Sequence, residues 1–262
     1  MDIAINGAAG RMGRRLVALA TEDAELNVVA AVDSPGHPRL GEDAGLPAGC
    51  GELGVPITAS LDTDVRPEVV IDFSLPAGTD AILPTCLERG LPLVVATTGF
   101  DAAQQQALAD AAERIALLWA PNMSLAVNLT MKLAALAAAA LKDADADVEI
   151  LERHHRFKED SPSGTALKFG QMIAAEMGQA EQRHGRFGKV GARPHGEIGY
   201  HAVRTGDDPG QHTIVFGMLG ETVELTVRAS SRDCYALGAL QAAKFLAGKP
   251  PGSYGMEDVL GL

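Results

Sequence analysis

The sequence predicts an α/β protein. Its first half reads as a doubly wound parallel sheet, and its second as an α+β domain on a mixed, open sheet. Three observations carry this. Apolar, β-branched runs alternate with helix-period segments from residue 2 to residue 119. A glycine-rich turn joins the first run to the first helical segment. In the second half three β runs follow one another, and the last alternates apolar and polar residues. Strand–helix alternation builds a parallel sheet covered on both faces, whereas successive strands build a sheet that can leave one face open.

The elements follow in order. Asp2–Asn6 is a short β run, and 11–21 carries Met12, Leu16 and Leu19 at helical spacing. Asn27–Val32 (NVVAAV) and 68–73 (EVVIDF) are continuous apolar runs of the kind found in strands buried on both faces. A helix over 79–89 stops at Gly90; 92–96 is a strand; 101–114 is a helix capped by Asp101; 115–119 closes the series. The segment 126–141, rich in Ala and Leu, predicts a long buried helix. A strand over 148–153 and a helix over 165–177 come next, and the Gly- and charge-rich stretch 178–195 reads as a loop. The β runs are 198–204, 212–218 and 222–229, followed by an amphipathic helix over 235–246. In the last run Val223, Leu225 and Val227 face one way, and Thr222, Glu224, Thr226 and Arg228 the other.

Composition narrows the function. With 22 basic against 34 acidic residues the net charge is −12, which argues against binding the nucleic-acid backbone. Aromatics are 4%, too few for base-stacking platforms. Cys50, Cys86 and Cys234 are widely spaced, as expected of free thiols in a reducing compartment. The first residues lack the basic and apolar regions of a signal peptide, and the apolar segment 133–141 is too short to span a bilayer, so no membrane partner is expected. No metal site is expected: adjacent histidines point in opposite directions on an extended chain, and no third ligand accompanies them.

Two constellations carry chemistry. The first is Gly7-Ala8-Ala9-Gly10-Arg11-Met12-Gly13, between a strand and a helix. Gly7 permits a tight turn, Gly10 close approach of backbone to a pyrophosphate, and Gly13 close helix–strand packing. The helix N-terminus offers N–H groups to phosphate, and Arg11 stands beside it. Asp33, twenty residues past Gly13, ends the second strand and can accept hydrogen bonds from ribose hydroxyls. This predicts a dinucleotide site. The second runs from Glu149 to Ala166. Ser163 is a good N-cap, and Gly164 and Thr165 begin a helix whose N–H groups suit a carboxylate. Lys158 adds a full charge, and His154 and His155 can donate or relay a proton near neutral pH. An anionic small-molecule substrate is expected.

These residues resemble a known family. Glu149, Ile150, Glu152, His154, Lys158, Asp160, Pro162, Ser163, Gly164, Thr165 and Ala166 match the dihydrodipicolinate reductase pattern E-I/V-x-E-x-H-x-x-x-K-x-D-x-P-S-G-T-A at every fixed position. GAAGRMG, Ala96-Thr97-Thr98-Gly99-Phe100, Ala120-Pro121-Asn122-Met123-Ser124, GEIGYHAVRTGD and ASSR resemble the same family, so the likeness covers the chain. Ala96 stands where the family often has Gly, Met123 where Phe is common, and Ser34 where some members carry Arg.

The resemblance implies a cytoplasmic enzyme of the diaminopimelate route to lysine. It would reduce 4-hydroxy-tetrahydrodipicolinate, a cyclic imine dicarboxylate, to tetrahydrodipicolinate. The domains would be a Rossmann-type dinucleotide-binding domain over 1–124 and 233–262, and a substrate-binding and oligomerisation domain over 125–232. The cofactor-binding residues implied are Gly7, Gly10, Arg11, Met12, Gly13, Asp33, Ala96, Thr98, Ala120, Asn122 and Met123. His154 and Lys158 would be catalytic; Thr98, His155, Lys158, Ser163, Gly164 and Thr165 would bind substrate carboxylates. A homotetramer joined through the second domain's sheet is implied. With Ser34 uncharged after Asp33, NADH is expected to serve at least as well as NADPH, with NADPH accepted. A relative such as an aspartate dehydrogenase would lack the His-His-x-x-x-Lys run, and an NADH-sensing protein need not keep His154 with Lys158.

Overall fold

The computed structural model describes residues 1–179 and 181–262. The chain forms two compact units: Met1–Leu125 with Asp233–Leu262, and Ala126–Arg232.

The first unit opens with β1 (Asp2–Asn6), α1 (Arg11–Glu22), β2 (Asn27–Val32), α2 (Gly45–Ala48) and β3 (Ile57–Thr58). β4 (Val69–Asp72), α3 (Pro76–Arg89), β5 (Leu93–Val95), α4 (Ala102–Ala112) and β6 (Ala116–Trp119) follow. The second unit holds all of α5 (Leu125–Leu141) but its first residue. It continues with β7 (Asp147–His154), α6 (Gly164–Met177), β8 (Glu181–His184), β9 (Glu197–Arg204), β10 (Gln211–Met218) and β11 (Glu221–Arg228). α7 (Asp233–Leu246), β12 (Gly252–Tyr254) and α8 (Met256–Leu260) belong to the first unit.

In the first unit seven parallel strands lie in the order β12-β6-β5-β4-β1-β2-β3. Alternation explains its two cores. Ile3, Ile5, Val69 and Ile71 join Leu16 of α1 and Ala239 and Leu240 of α7. Ala4, Val70, Leu93 and Val95 join Ile82 of α3 and Leu108 of α4 on the opposite face. Successive strand residues point to opposite faces, so uninterrupted apolar runs were required. The chain passes from β1 to β2 on one side and later to β4 on the other, so ligands are expected beyond the β1 and β4 carboxyl ends.

The second unit has a five-stranded mixed sheet in the order β11-β10-β7-β9-β8. β10 runs antiparallel to β11 and β7, while β9 is parallel to β7 and β8. Val148, Ile150, Ile198, Tyr200, Ile214 and Phe216 pack beneath α5 and α6. The other face stays open, with Leu151 and Val203 exposed.

Several expectations need correction. The expected loop at 178–195 contains β8, an exposed strand paired in parallel with β9; its polar residues carry no apolar alternation to betray it. Within that span residue 180 lies outside the described residues. α5 is not buried all round. Val127, Thr130, Ala134 and Ala138 are buried, while Leu129, Leu133 and Leu136 are exposed. Small residues line the packed stripe because they admit the neighbouring elements closely. α3 begins at Pro76 rather than residue 79, since proline suits the first helical position. The short α2, β3, β12 and α8 carry too few residues to show a period.

Candidate functional site

The first-unit cleft forms where β1 enters α1. Gly7 has φ +79°, and a Cβ there would fall 2.6 Å from the Phe73 carbonyl oxygen. At Gly13 a Cβ would fall 2.0 Å from the Gly7 oxygen. Both positions therefore require glycine. The turn spends its own donors internally: Gly7 and Ala8 N–H donate to the Val32 carbonyl at 2.8 and 3.0 Å, and Gly10 N–H to the Gly7 carbonyl at 3.0 Å. Ala9 N–H donates to Asp33 Oδ2 at 2.9 Å, and Ser34 N–H to Asp33 Oδ1 at 2.8 Å. The N–H groups of Arg11 and Met12, in the first turn of α1, have no helical carbonyl four residues back and are open to an anion.

Gly7, Gly10, Arg11, Met12, Asp33, Ala96 and Thr98 line one cleft of about 640 Å³. Gly13 stands behind the turn. Ala120 and Met123 are buried, and Asn122 Oδ1 accepts from Ser124 N–H at 2.9 Å; these three do not line that cleft. Its wall also contains Ser34, His37, Ser74 and Thr97. Beneath it, fully buried Asp72 accepts from Asn6 Nδ2 at 2.8 Å, Ser74 Oγ at 2.5 Å, Thr79 Oγ1 at 2.5 Å and Thr97 Oγ1 at 3.0 Å. Sequence reasoning missed this hub; its signal was an aspartate at the end of an otherwise apolar strand.

The second unit carries the other constellation. β7 ends at His154, and the chain loops through Lys158 to Ser163, the N-cap of α6. His154 Nδ1 lies 2.5 Å from Glu152 Oε2. Arg204 grips both Glu152 oxygens, at 2.8 and 2.7 Å. Burial opposes ionisation of Glu152, but the bonds from His154 and Arg204 outweigh it and bring its pKa down to about 2. Since Glu152 is ionised, His154 presents N–H to it at Nδ1, which leaves Nε2 as the ring's other nitrogen. Gly210 keeps that nitrogen open: its φ is +146°, and a Cβ there would lie 2.9 Å from Nε2.

Ser163 Oγ accepts from Ala166 N–H at 3.2 Å and lies 3.0 Å from His212 Nε2. Burial, with the nearby His154 charge, pushes His212 down to about 4, so it is neutral at pH 7. The Ser163 hydroxyl proton is available to a ligand only when His212 donates through Nε2. Ser163 is itself 2% exposed, so the cradle's outer surface is Gly164 and Thr165. Lys158 Nζ is 2.8 Å from Asp160 Oδ1. His155 is lowered first by desolvation, then by the charges of Arg232, His154 and Lys158, and its Nε2 lies 3.2 Å from Arg232. His154, His155, Lys158, Ser163, Gly164 and Thr165 thus occupy one strand end, the loop after it and the helix start. Arg204 and Arg232 went unassigned in the sequence, although they lie in the GEIGYHAVRTGD and ASSR segments. Among the described residues no group of three or more His, Cys, Asp or Glu could hold a metal, and no helix is long and apolar enough to cross a membrane.

Known proteins match both halves. Residues 1–123 match the family model described as dihydrodipicolinate reductase, N-terminus, and residues 126–260 the one described as its C-terminus. A 4-hydroxy-tetrahydrodipicolinate reductase of Rhodopirellula baltica is 54% identical, covering 100% of this chain and 96% of its own. That of Alkalilimnicola ehrlichii is 48% identical over 99% and 98%. A dipicolinate-bound dihydrodipicolinate reductase from Paenisporosarcina sp. superposes with TM-score 0.78 at 29% identity over 97% of each chain. An amine dehydrogenase from Mycobacterium smegmatis shares the fold, at TM-score 0.65 and 11% identity over 98% of this chain and 94% of its own. Family matches over both halves and full-length likeness to these reductases agree: the chain belongs to the dihydrodipicolinate reductase family and is an oxidoreductase that reduces 4-hydroxy-tetrahydrodipicolinate to tetrahydrodipicolinate in the diaminopimelate route to lysine.

Proposed function

We propose that the first unit is a dinucleotide-binding domain that takes a reduced nicotinamide dinucleotide, NADH at least as well as NADPH. The second unit would be the substrate-binding and oligomerisation domain. The cleft fits the cofactor: Gly7 and Gly13 leave no Cβ in the turn, Arg11 and Met12 face it with N–H groups, and Asp33 stands at the end of β2. When bound, the cofactor supplies the reducing equivalent. Asp33 accepts the ribose hydroxyls. Its carboxylate is held by Ala9 and Ser34 N–H, so it does not yield readily to a 2′-phosphate. Of two candidate partners for such a phosphate, Arg39 is paired to Glu42 at 2.8 Å, while His37 lines the cleft and accounts for the acceptance of NADPH. Ala96, Thr98, Ala120, Asn122 and Met123 complete the proposed cofactor set.

For the substrate, a small dicarboxylate, the proposed roles follow from chemistry. His154 donates a proton from Nε2 to the anionic centre that reduction creates. Lys158 stabilises that charge and holds a carboxylate. The Gly164 and Thr165 N–H groups, with Ser163 as cap, receive a carboxylate beside His155. The observation that carries this reading is the Glu152–His154 contact of 2.5 Å, which engages Nδ1 and leaves Nε2 as the one nitrogen for a ligand, on the residue that precedes the lysine loop and the helix N-terminus. The test is NADH oxidation with freshly generated 4-hydroxy-tetrahydrodipicolinate. Lys158→Ala lowers turnover by several orders of magnitude with NADH affinity unchanged. His154→Ala loses roughly 10²–10⁴-fold. Full turnover by His154→Ala from pH 6 to 9 would remove its role. We further propose a cytoplasmic homotetramer joined through the open sheet face, where Leu151 and Val203 are exposed on the same side as Thr222, Glu224, Thr226 and Arg228.

A further inference from the structure

Glu152 has an unusual position for a carboxylate. It lies inside β7, its side chain is 1% exposed, and four donors converge on it. Oε2 takes His154 Nδ1 at 2.5 Å and Arg204 Nη1 at 2.8 Å. Oε1 takes Arg204 Nη2 at 2.7 Å and Ser163 N–H at 3.1 Å. A buried carboxylate is costly unless all its lone pairs are met, and here they are met by three separate parts of the unit. His154 ends β7, Arg204 ends β9, and Ser163 caps α6. Arg204 Nη2 also donates to the Asp160 carbonyl at 2.7 Å, in the loop that carries Lys158.

We infer that Glu152 is a positioning residue for the reduction, coupling the proton donor His154 to the carboxylate cradle at the start of α6, with Arg204 fixing the carboxylate in the one orientation that serves both. The inference rests on the reading of His154 as the acid. Through Oε2 it holds the Nδ1–H and stabilises the imidazolium. When the Nε2 proton passes to the substrate, the Nδ1 proton stays on the ring and Glu152 remains ionised, so charge and protons balance within the pair. Through Oε1 it anchors the backbone of Ser163, and so the direction of the first α6 N–H groups. His212, the cross-strand neighbour of Glu152, contacts the same residue through Oγ. A role confined to stability would require neither the His154 contact nor the Ser163 bond to be made by the same carboxylate.

The charged and titratable groups around His154 are Glu152 on its own strand, Arg204 at the end of β9, and Asp208 in the following turn. His212 on β10 has its ring centroid 5.2 Å away, and His155 and Lys158 lie in the loop after β7. Removing the Glu152 charge leaves a net positive surrounding, so the protonated ring becomes harder to keep.

The test is a double-mutant cycle on the full chain with Glu152→Gln and His154→Ala. Glu152→Gln alone is expected to lower kcat roughly 10–10²-fold, the size of one charge-assisted hydrogen bond. It should move the descending limb of the kcat–pH profile to lower pH, raise the substrate KM and leave the NADH KM unchanged. In the His154→Ala background the same substitution should cost less than about 3-fold in kcat, because coupled residues are not additive. An equal kcat loss in both backgrounds overturns the inference. Full turnover by His154→Ala alone overturns the acid reading, and the inference falls with it. If thermal unfolding shows that Glu152→Gln does not fold, Arg204→Gln enters the same cycle, with the coupling in kcat deciding and the limb expected to move to higher pH, because a positive charge is lost.

Discussion

Two residues show how little separates a working site from a blocked one. Gly210 has no side chain where a methyl would lie 2.9 Å from His154 Nε2, and its φ of +146° disfavours any other residue. Gly210→Ala should therefore lower kcat by at least about 10-fold, equivalent to roughly 1.4 kcal/mol, without weakening NADH binding. Steady-state kinetics together with NADH titration check this; a change in NADH affinity alone would contradict it. Ser34 is the counterpart in the first unit. Its N–H holds Asp33, and its side chain lines the cleft without charge. Ser34→Arg should shift preference toward NADPH by about 10-fold, since a guanidinium pairs with a phosphate in a forked geometry. The measurement is the ratio of kcat/KM for the two cofactors. In the unmodified enzyme, a preference for NADPH above about 10-fold, or roughly 1.4 kcal/mol, would contradict the reading of Asp33. Asp33 and Gly7 were legible because a strand–turn–helix has a fixed spacing. Gly210 was not, because the ring it accommodates lies 56 residues away in the chain.

Elements differ in how strongly their sequences announce them. α4 declares its start. Asp101 accepts from Gln104 N–H at 2.8 Å, and Gln104 Oε1 accepts from Asp101 N–H at 3.0 Å, a reciprocal cap. Asp101→Ala should cost about 1 kcal/mol of unfolding free energy, read from denaturant midpoints at constant slope. β8 is the opposite case. Every residue of Glu181–His184 is exposed, and the strand exists because β9 offers an unpaired edge. On β7, beyond β9, Glu149 accepts from Arg186 at 3.0 and 2.7 Å, from Arg193 at 3.0 Å and from His201 at 2.8 Å. These partners lie between 37 and 52 residues away, so no local pattern could reveal them. Gly199 makes room for that carboxylate: a Cβ there would meet Glu149 Oε2 at 1.9 Å.

At the scale of the whole molecule, acid should act in two windows. His212 titrates at about 4, below its ordinary 6.5, because burial disfavours its charged form. The unfolded chain therefore binds this proton first, and stability falls as the pH drops from 6.5 toward 4. The loss is on the order of 3 kcal/mol at most. Burial raises Glu149 and Glu152, but their hydrogen bonds prevail and hold both at about 2 against 4.5. Their contribution is present above 4.5 and is lost as the pH falls toward 2. Melting temperature against pH should decline in both ranges, and His212→Gln should flatten the upper one. A profile flat from 6.5 to 4 would contradict the burial of a neutral His212. For assembly, light scattering should report four times the chain mass of 27.3 kDa; a single-chain mass refutes the proposed tetramer.

The sequence alone determined the alternation of strands and helices, the glycine turn with its acid, the caps of α4 and α6, and the run from Glu149 to Ala166 that carries the family likeness. Each is a local matter, decided by backbone geometry and side-chain period over a few residues. Tertiary structure decided the rest. It joined Glu152 to Arg204, Ser163 to His212 and Asp72 to Asn6, pairs separated by 49 to 66 residues in the chain. It also exposed Leu129, Leu133 and Leu136 of α5 and added β12 to the edge of the parallel sheet. These contacts form because buried polar groups must find partners and because sheet edges seek pairing, and both needs are met by whichever residue the fold brings near.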